Sequence, residues 1–154
     1  MCRGRLARRG FSLVELAIVI TIVAVVAGIA VPRLGRAGAG TRDAALVRDL
    51  SVLRQALDRY ACEHGGRYPS VAEFAKQLTR YTDADGAWSN KREAPYVFGP
   101  YVVGVPPLPV GTGGTRVGAA GVSGVAWAYD PATGQIRANT TTEADDAGRL
   151  YGSY

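Results

Sequence analysis

The sequence predicts an α+β fold: one long N-terminal helix, membrane-spanning in its first half and amphipathic in its second, packed on a small antiparallel β-sheet. Three observations carry this. Residues 11–31 are apolar except for Ser12, Glu15 and Thr21. Leu46, Leu50, Leu53, Leu57 and Tyr60 then recur at helical spacing. The remainder turns to short runs rich in Val, Tyr and Trp, separated by Gly- and Pro-rich stretches, which is the pattern of short strands and turns.

Composition narrows the class. The chain has 154 residues, 47% hydrophobic and 20% charged, about one domain's worth of sequence and too apolar to be disordered throughout. Its 20 glycines follow no three-residue period, which excludes collagen. The formal charge is +5, and Arg3, Arg5, Arg8 and Arg9 carry four of those charges. The basic balance is therefore a positive tag on the N-terminus and no sign of nucleic acid. The two cysteines, Cys2 and Cys62, make one disulfide at most, and no Cys/His cluster offers a zinc site.

Taken in order, residues 1–10 form a basic leader. The apolar run at 11–31 makes a helix of about 31 Å at 1.5 Å per residue, the thickness of a bilayer's hydrocarbon core. More arginines precede the run than follow it at Arg33 and Arg36, so the N-terminus stays in the cytoplasm. A secretory signal peptide would also have a basic start, and Ala37-Gly38-Ala39 is similar to a cleavage site. The run, however, is longer than a signal's apolar core and carries a carboxylate. A plain signal anchor fits the length and leaves Glu15 unexplained. A charge inside a membrane costs roughly 2.5–3.5 kcal/mol and is functional by default.

Arg9-Gly10-Phe11-Ser12-Leu13-Val14-Glu15-Leu16 resembles the processing motif of type IV prepilins and type II secretion pseudopilins. The resemblance covers residues 1 to about 35. It implies cleavage between Gly10 and Phe11 by a membrane prepilin peptidase, with methylation of the new Phe11 amine. It makes Glu15 the fifth mature residue and an assembly residue, and it places Pro32 where many pilins have a proline. The organisation it implies is a leader at 1–10, a transmembrane and filament-core helix at 11–35, and an exported globular pilin-like domain at 36–154. Implied partners are copies of the chain, related minor pilins, the peptidase, an inner-membrane assembly platform and, before assembly, membrane lipid. Implied locations are the bacterial inner membrane, then a periplasmic or extracellular filament. No catalytic residue, cofactor or nucleic-acid partner is expected. Secretion pseudopilus and adhesive, motility or DNA-uptake pilus share this N-terminus, and a looser resemblance in "GGRYPS", "GPYVVGVPP" and "WAYDPATGQI" leans toward the secretion type. The alternative is a signal-anchored periplasmic binding domain that forms no filament.

The spacing has its own chemistry. Glu15 lies four residues from Phe11, one helical turn along the same face. In a stack of subunits, the carboxylate of one can meet the amine of another. Each charge is costly alone in an apolar setting and much less so when paired.

Beyond the run, Pro32 predicts a helix break or kink, and Gly35, Gly38 and Gly40 weaken the helix further. Helix is expected to resume near Thr41, with Arg42, Arg48, Arg54, Asp58 and Arg59 mostly off the apolar stripe, and to stop at Gly65-Gly66. Ser70 and Glu73 suggest a capping box heading a helix over about 71–82, with Phe74, Leu78 and Tyr81 on one face. A polar loop is expected at 83–93, a broken strand at 95–105 and a loop at 106–121. Strands are expected at 122–129 and 135–140, joined by a turn at 130–134, and then a loosely held tail at 142–154.

Few other residues suggest chemistry. Asp83-Ala84-Asp85-Gly86 is half of an EF-hand-like loop and lacks its later ligands. Asp145 and Asp146 are similar in place to the calcium loop of major pseudopilins, without the Asp-Pro-Trp-Gly signature of that family. These four are weak calcium candidates, and solvated turn acids are the expected reading. His64 is expected near a helix C-terminus without a catalytic partner. Cys62 is expected to be buried or half-buried. Trp88 and Trp127 are expected to pack in the core and sheet.

Overall fold

The computed structural model of the chain describes residues 12–111 and 113–154, with the backbone alone over 28–39. Helix α1 spans Leu13–Glu63. Ser12 stands at its head. The Leu16 amide donates to the Ser12 carbonyl at 3.1 Å and the Val14 amide to Ser12 Oγ at 3.3 Å. The hydroxyl thus serves one of the first-turn amides that no helical carbonyl reaches. The break expected at Pro32 does not interrupt α1. A proline withholds one N–H···O bond from the ladder, and the bonds of the turns on either side can carry the helix past it. The chain divides between Gly38 and Ala39 into two units.

In the second unit, residues 39–154, the apolar stripe is the spine of the core. Leu46, Leu50, Leu53, Leu57 and Tyr60 are each at most 3% exposed, while the five charged residues expected off the stripe are all exposed. After α1, Gly65 and Gly66 take φ of 65° and 83°, and the Gly66 amide donates to the Ala61 carbonyl at 2.8 Å. Those left-handed angles favour glycine, and the bond closes the last turn.

Helix α2, Phe74–Thr79, is shorter than the sequence suggests. Ser70 Oγ accepts the Glu73 amide at 3.3 Å, which is half of the capping box. The other half is absent: the Ser70 amide goes to Gln77 Oε1 at 2.9 Å, and the Glu73 carboxylate accepts the Trp88 indole N–H at 2.8 Å. Tyr81 leaves the helix and opens strand β1, Tyr81–Thr82, which pairs antiparallel with β2, Trp88–Ser89. The expected polar loop therefore begins as a hairpin turn.

The second sheet has the order β3 (Val117–Gly118), β4 (Trp127–Tyr129), β5 (Ile136–Ala138). β4 and β5 form the expected antiparallel hairpin, with strands shorter than anticipated. β3, in the stretch read as a loop, pairs parallel with β4, so this sheet is mixed. Leu108 and Val110 of the same stretch are buried. Residues 95–105 do not form the expected strand. They contribute two isolated bridges, Phe98 to Thr82 and Tyr96 to Glu93, because Pro95 and Pro100 withhold ladder donors.

Trp127, Tyr129, Ile136, Phe74 and Leu78 share one core cluster with the α1 stripe. The tail is anchored, contrary to the sequence reading. Tyr151 opens a 3-10 turn, Tyr151–Ser153, and its ring joins the core. Its hydroxyl donates to Asp43 Oδ1 at 2.7 Å, and Arg54 Nη2 donates to the Tyr154 carbonyl at 2.6 Å. The ring brings apolar area that a count of polar residues overlooks.

Candidate processing and assembly site

Gly10 and Phe11, the expected cleavage junction, lie outside the described residues. Glu15 lies in the first turn of α1. Its side chain is exposed and makes no hydrogen bond or ion pair among the described residues. The residues around it are uncovered on every side. Leu13 is 86% exposed, Val14 67%, Leu16 54% and Ile20 61%, and the valines continue so to Val26. A helix of a globular domain normally keeps one apolar stripe and buries it. Here the whole circumference is apolar, and each uncovered aliphatic side chain leaves about 1.5–3 kcal/mol of burial free energy unrealised. The Thr21 hydroxyl donates to the Ala17 carbonyl at 2.7 Å, which hides the last polar group of this stretch in the helix itself. Among the described residues no helix is long and apolar enough to cross a membrane. The side chains described for the run cover residues 12–27, fewer than the roughly 20 a bilayer asks for.

Ser12 is a residue the sequence reading counts only as a polar interruption. The spacing Ser12-x-x-Glu15 at the start of an apolar run is the signal that finds it, because a serine there caps the helix.

Two of the four calcium candidates, Asp83 and Asp145, act as turn builders. Asp83 Oδ1 accepts the amides of Asp85 at 3.0 Å and Ala87 at 2.9 Å. Asp145 Oδ1 accepts those of Ala147 at 2.9 Å and Arg149 at 2.8 Å, and its Oδ2 accepts the Tyr154 hydroxyl. The Asp85 carboxylate lies 3.4 Å from Arg67, and Asp146 is exposed. Among the described residues no three His, Cys, Asp or Glu side chains converge as a metal site.

One further expectation changes, that for Cys62, while His64 follows the last residue of α1 as expected. Cys62 is an exposed free thiol, on the outer side of α1 with Arg59. His64 is 2% exposed and stacks on Tyr60 at 3.7 Å between ring centroids. Its Nδ1 lies 2.8 Å from the Tyr60 carbonyl, and only an N–H can face that oxygen favourably. Trp127 is fully buried, as expected, with its indole N–H on the Pro106 carbonyl at 2.9 Å. Trp88 is half-buried, with Lys76 and Arg80 over its ring at 4.7 and 4.5 Å.

A family model described as the prokaryotic N-terminal methylation motif matches residues 5–31. The chain carries a prepilin-type methylation motif. This is the cleavage and methylation motif of type IV pilins and pseudopilins, and Gly10, Phe11 and Glu15 all fall inside the match. The methylation motif makes the chain pilin- or pseudopilin-like at its N-terminus. It ends at the apolar run, so the architecture of residues 39–154 rests on the structure alone. No characterised protein and no solved structure matches the chain.

Proposed function

We propose that the chain is a structural subunit of a filament, a type IV pilus or type II secretion pseudopilus. It assembles from the inner membrane after cleavage behind Gly10 and methylation of Phe11. The observation that carries this reading is the joining of a methylation motif to a helix whose apolar side chains are uncovered all round. Such a helix needs lipid or other protein chains to cover it. In this reading the run at 11–31 first spans the membrane, with the N-terminus cytoplasmic, and later packs among copies of itself and minor pilins. The prepilin peptidase and an inner-membrane assembly platform act on it in turn, and the globular unit ends in the periplasm or outside the cell. The protein is structural and not an enzyme. The resemblance of "GGRYPS" and "WAYDPATGQI" favours the secretion pseudopilus.

Glu15 gives the reading its mechanism. Its carboxylate is free of partners among the described residues and stands in a wholly apolar stretch. Pairing with the Phe11 amine of a neighbouring subunit compensates both charges and selects one register. Glu15→Ala leaves that amine buried and unpaired, a cost of about 3–5 kcal/mol.

Mass spectrometry of membrane-extracted protein tests the processing: the N-terminus is expected at Phe11 with one methyl on its amine. An intact N-terminus would instead mark a signal anchor. Glu15→Ala protein is expected to be cleaved, to accumulate in the membrane and to stay out of filaments. Wild-type filament yield from cleaved Glu15→Ala protein would overturn the pairing while leaving the processing intact.

A further inference from the structure

Ser12 stands in the sequence between the Gly10-Phe11 junction and α1. It lies outside the helix, whose first residue is Leu13, yet it already serves the helical ladder. Its carbonyl accepts the Leu16 amide at 3.1 Å, and its Oγ accepts the Val14 amide at 3.3 Å. A carbonyl that takes the first helical bond, and a hydroxyl on the amide two residues on, together define an N-cap. The backbone of an N-cap is not helical, so the helix stops on Ser12. Glu15 reinforces this start, because a carboxylate in the first turn suits the helix dipole. It does not share the capping: its side chain makes no hydrogen bond among the described residues. The hydroxyl of Ser12 therefore caps α1 alone.

The place of this cap bears on the chemistry of the junction. In a helix each carbonyl oxygen is bonded to the amide four residues on, and side chains wrap the backbone. A peptidase can attack a bond only where the chain has left that arrangement. The sequence before Ser12 is a weak barrier to helix. Leu6, Ala7, Arg8 and Arg9 are all strong helix formers, and Gly10 is the one poor helix former between them and Phe11. A serine two residues beyond the junction supplies the missing stop.

We propose that Ser12 is a positioning residue for processing: by capping α1 it keeps the Gly10-Phe11 bond out of the helix and open to the peptidase. This rests on the reading of that bond as the cleavage junction. The test incubates the full chain in detergent micelles with a purified prepilin peptidase and follows the appearance of the Phe11 N-terminus by mass spectrometry. Ser12→Ala keeps a small side chain and removes the acceptor, and should be cut about fivefold more slowly. Ser12→Asn is larger and caps as well as serine, and should be cut at the parent rate. Hydrogen exchange of the Val14 amide in the same micelles should quicken in Ser12→Ala and stay at the parent rate in Ser12→Asn. If the peptidase instead reads the size of this side chain, Ser12→Ala will be cut normally and Ser12→Asn slowly, which overturns the proposal. Equal cutting of all three chains, slow cutting of both variants, or a Val14 amide indifferent to Ser12→Ala overturns it as well. In each of those cases a parent chain cut behind Gly10 leaves the processing reading standing. A parent chain left uncut removes both.

Discussion

Asp83, Asp130 and Asp145 each open a tight turn and hold it with their own carboxylate. In each the side chain accepts the amide two residues on, at 3.0 Å from Asp85, 2.9 Å from Ala132 and 2.9 Å from Ala147. In each a glycine at positive φ follows: Gly86 at 86°, Gly134 at 71° and Gly148 at 81°. The Tyr154 hydroxyl and the Arg149 amide hold the Asp145 carboxyl below its usual range, against a smaller opposing effect of desolvation. The Ala132 amide and the Thr133 hydroxyl do the same for Asp130. A carboxyl depressed by folding stabilises when ionised. Its contribution is complete above the unfolded value near about 3.9 and is lost as pH falls through the folded one. Thermal melts from about pH 6 down to about pH 2 should therefore lose stability in that acid window. Asp145→Asn should be less stable at the upper end and show a shallower acid fall. An acid limb as steep as the parent's would exclude this linkage. Tyr151 carries the opposite sign. Its bond to Asp43 raises the phenol to about 12. That contribution is present below the ordinary phenol value of about 10 and lost as pH rises from there toward the raised one. Tyr151→Phe should cost about 0.5–1.5 kcal/mol at neutral pH and remove that alkaline loss, read by denaturation at pH values on either side of the window.

At the scale of elements, the stripe from Leu46 to Tyr60 was fully legible, because five large side chains at helical spacing leave one face to bury. Leu53 is 0% exposed within it. Leu53→Asp puts an unpaired charge in the core and should abolish the cooperative melt of residues 39–154. A retained melt would place Leu53 at a surface. The β4–β5 hairpin was legible from Asp130-Pro131-Ala132-Thr133-Gly134 between two apolar runs. Its closing glycine is irreplaceable for two reasons. Gly134 sits at φ 71°, and a Cβ there would stand 2.4 Å from the Tyr68 ring. Gly134→Ala should destabilise by about 1 kcal/mol or more, measurable in urea. The helix expected over 71–82 spans only Phe74–Thr79: the apolar period continues into Tyr81, while pairing with Trp88–Ser89 draws that residue into a strand.

For the molecule as a whole, the division at Gly38/Ala39 separates two kinds of hydrophobicity. The apolar residues of the α1 stripe are covered by their own unit, with Trp127, Phe74 and Tyr151 in the same cluster. The described apolar residues at 13–26 are uncovered. A fragment beginning at Ala39 should therefore be soluble, monomeric and cooperatively folded, as size-exclusion chromatography and a thermal melt would show. A stable oligomer would move the stripe to a contact between subunits. The full chain should need detergent or lipid, because exposed aliphatic side chains over several turns drive association.

The N-terminal motif, the apolar run, the amphipathic stripe and the α+β class were determined by the sequence itself. Each rests on local spacing: four residues separate Phe11 from Glu15 in the sequence, and a helical period relates Leu46 to Tyr60. Tertiary structure decided what depends on residues distant in the chain. Parallel pairing of Val117–Gly118 with β4 needs an edge that only the folded hairpin presents. Anchoring of the tail needs Asp43 to stand opposite Tyr151, 108 residues away. The docking of α1 on β5 needs Arg54 brought to the Ile136 carbonyl, 82 residues away. No local periodicity encodes such meetings, because loop closure over long separations is set by the packing of the whole core.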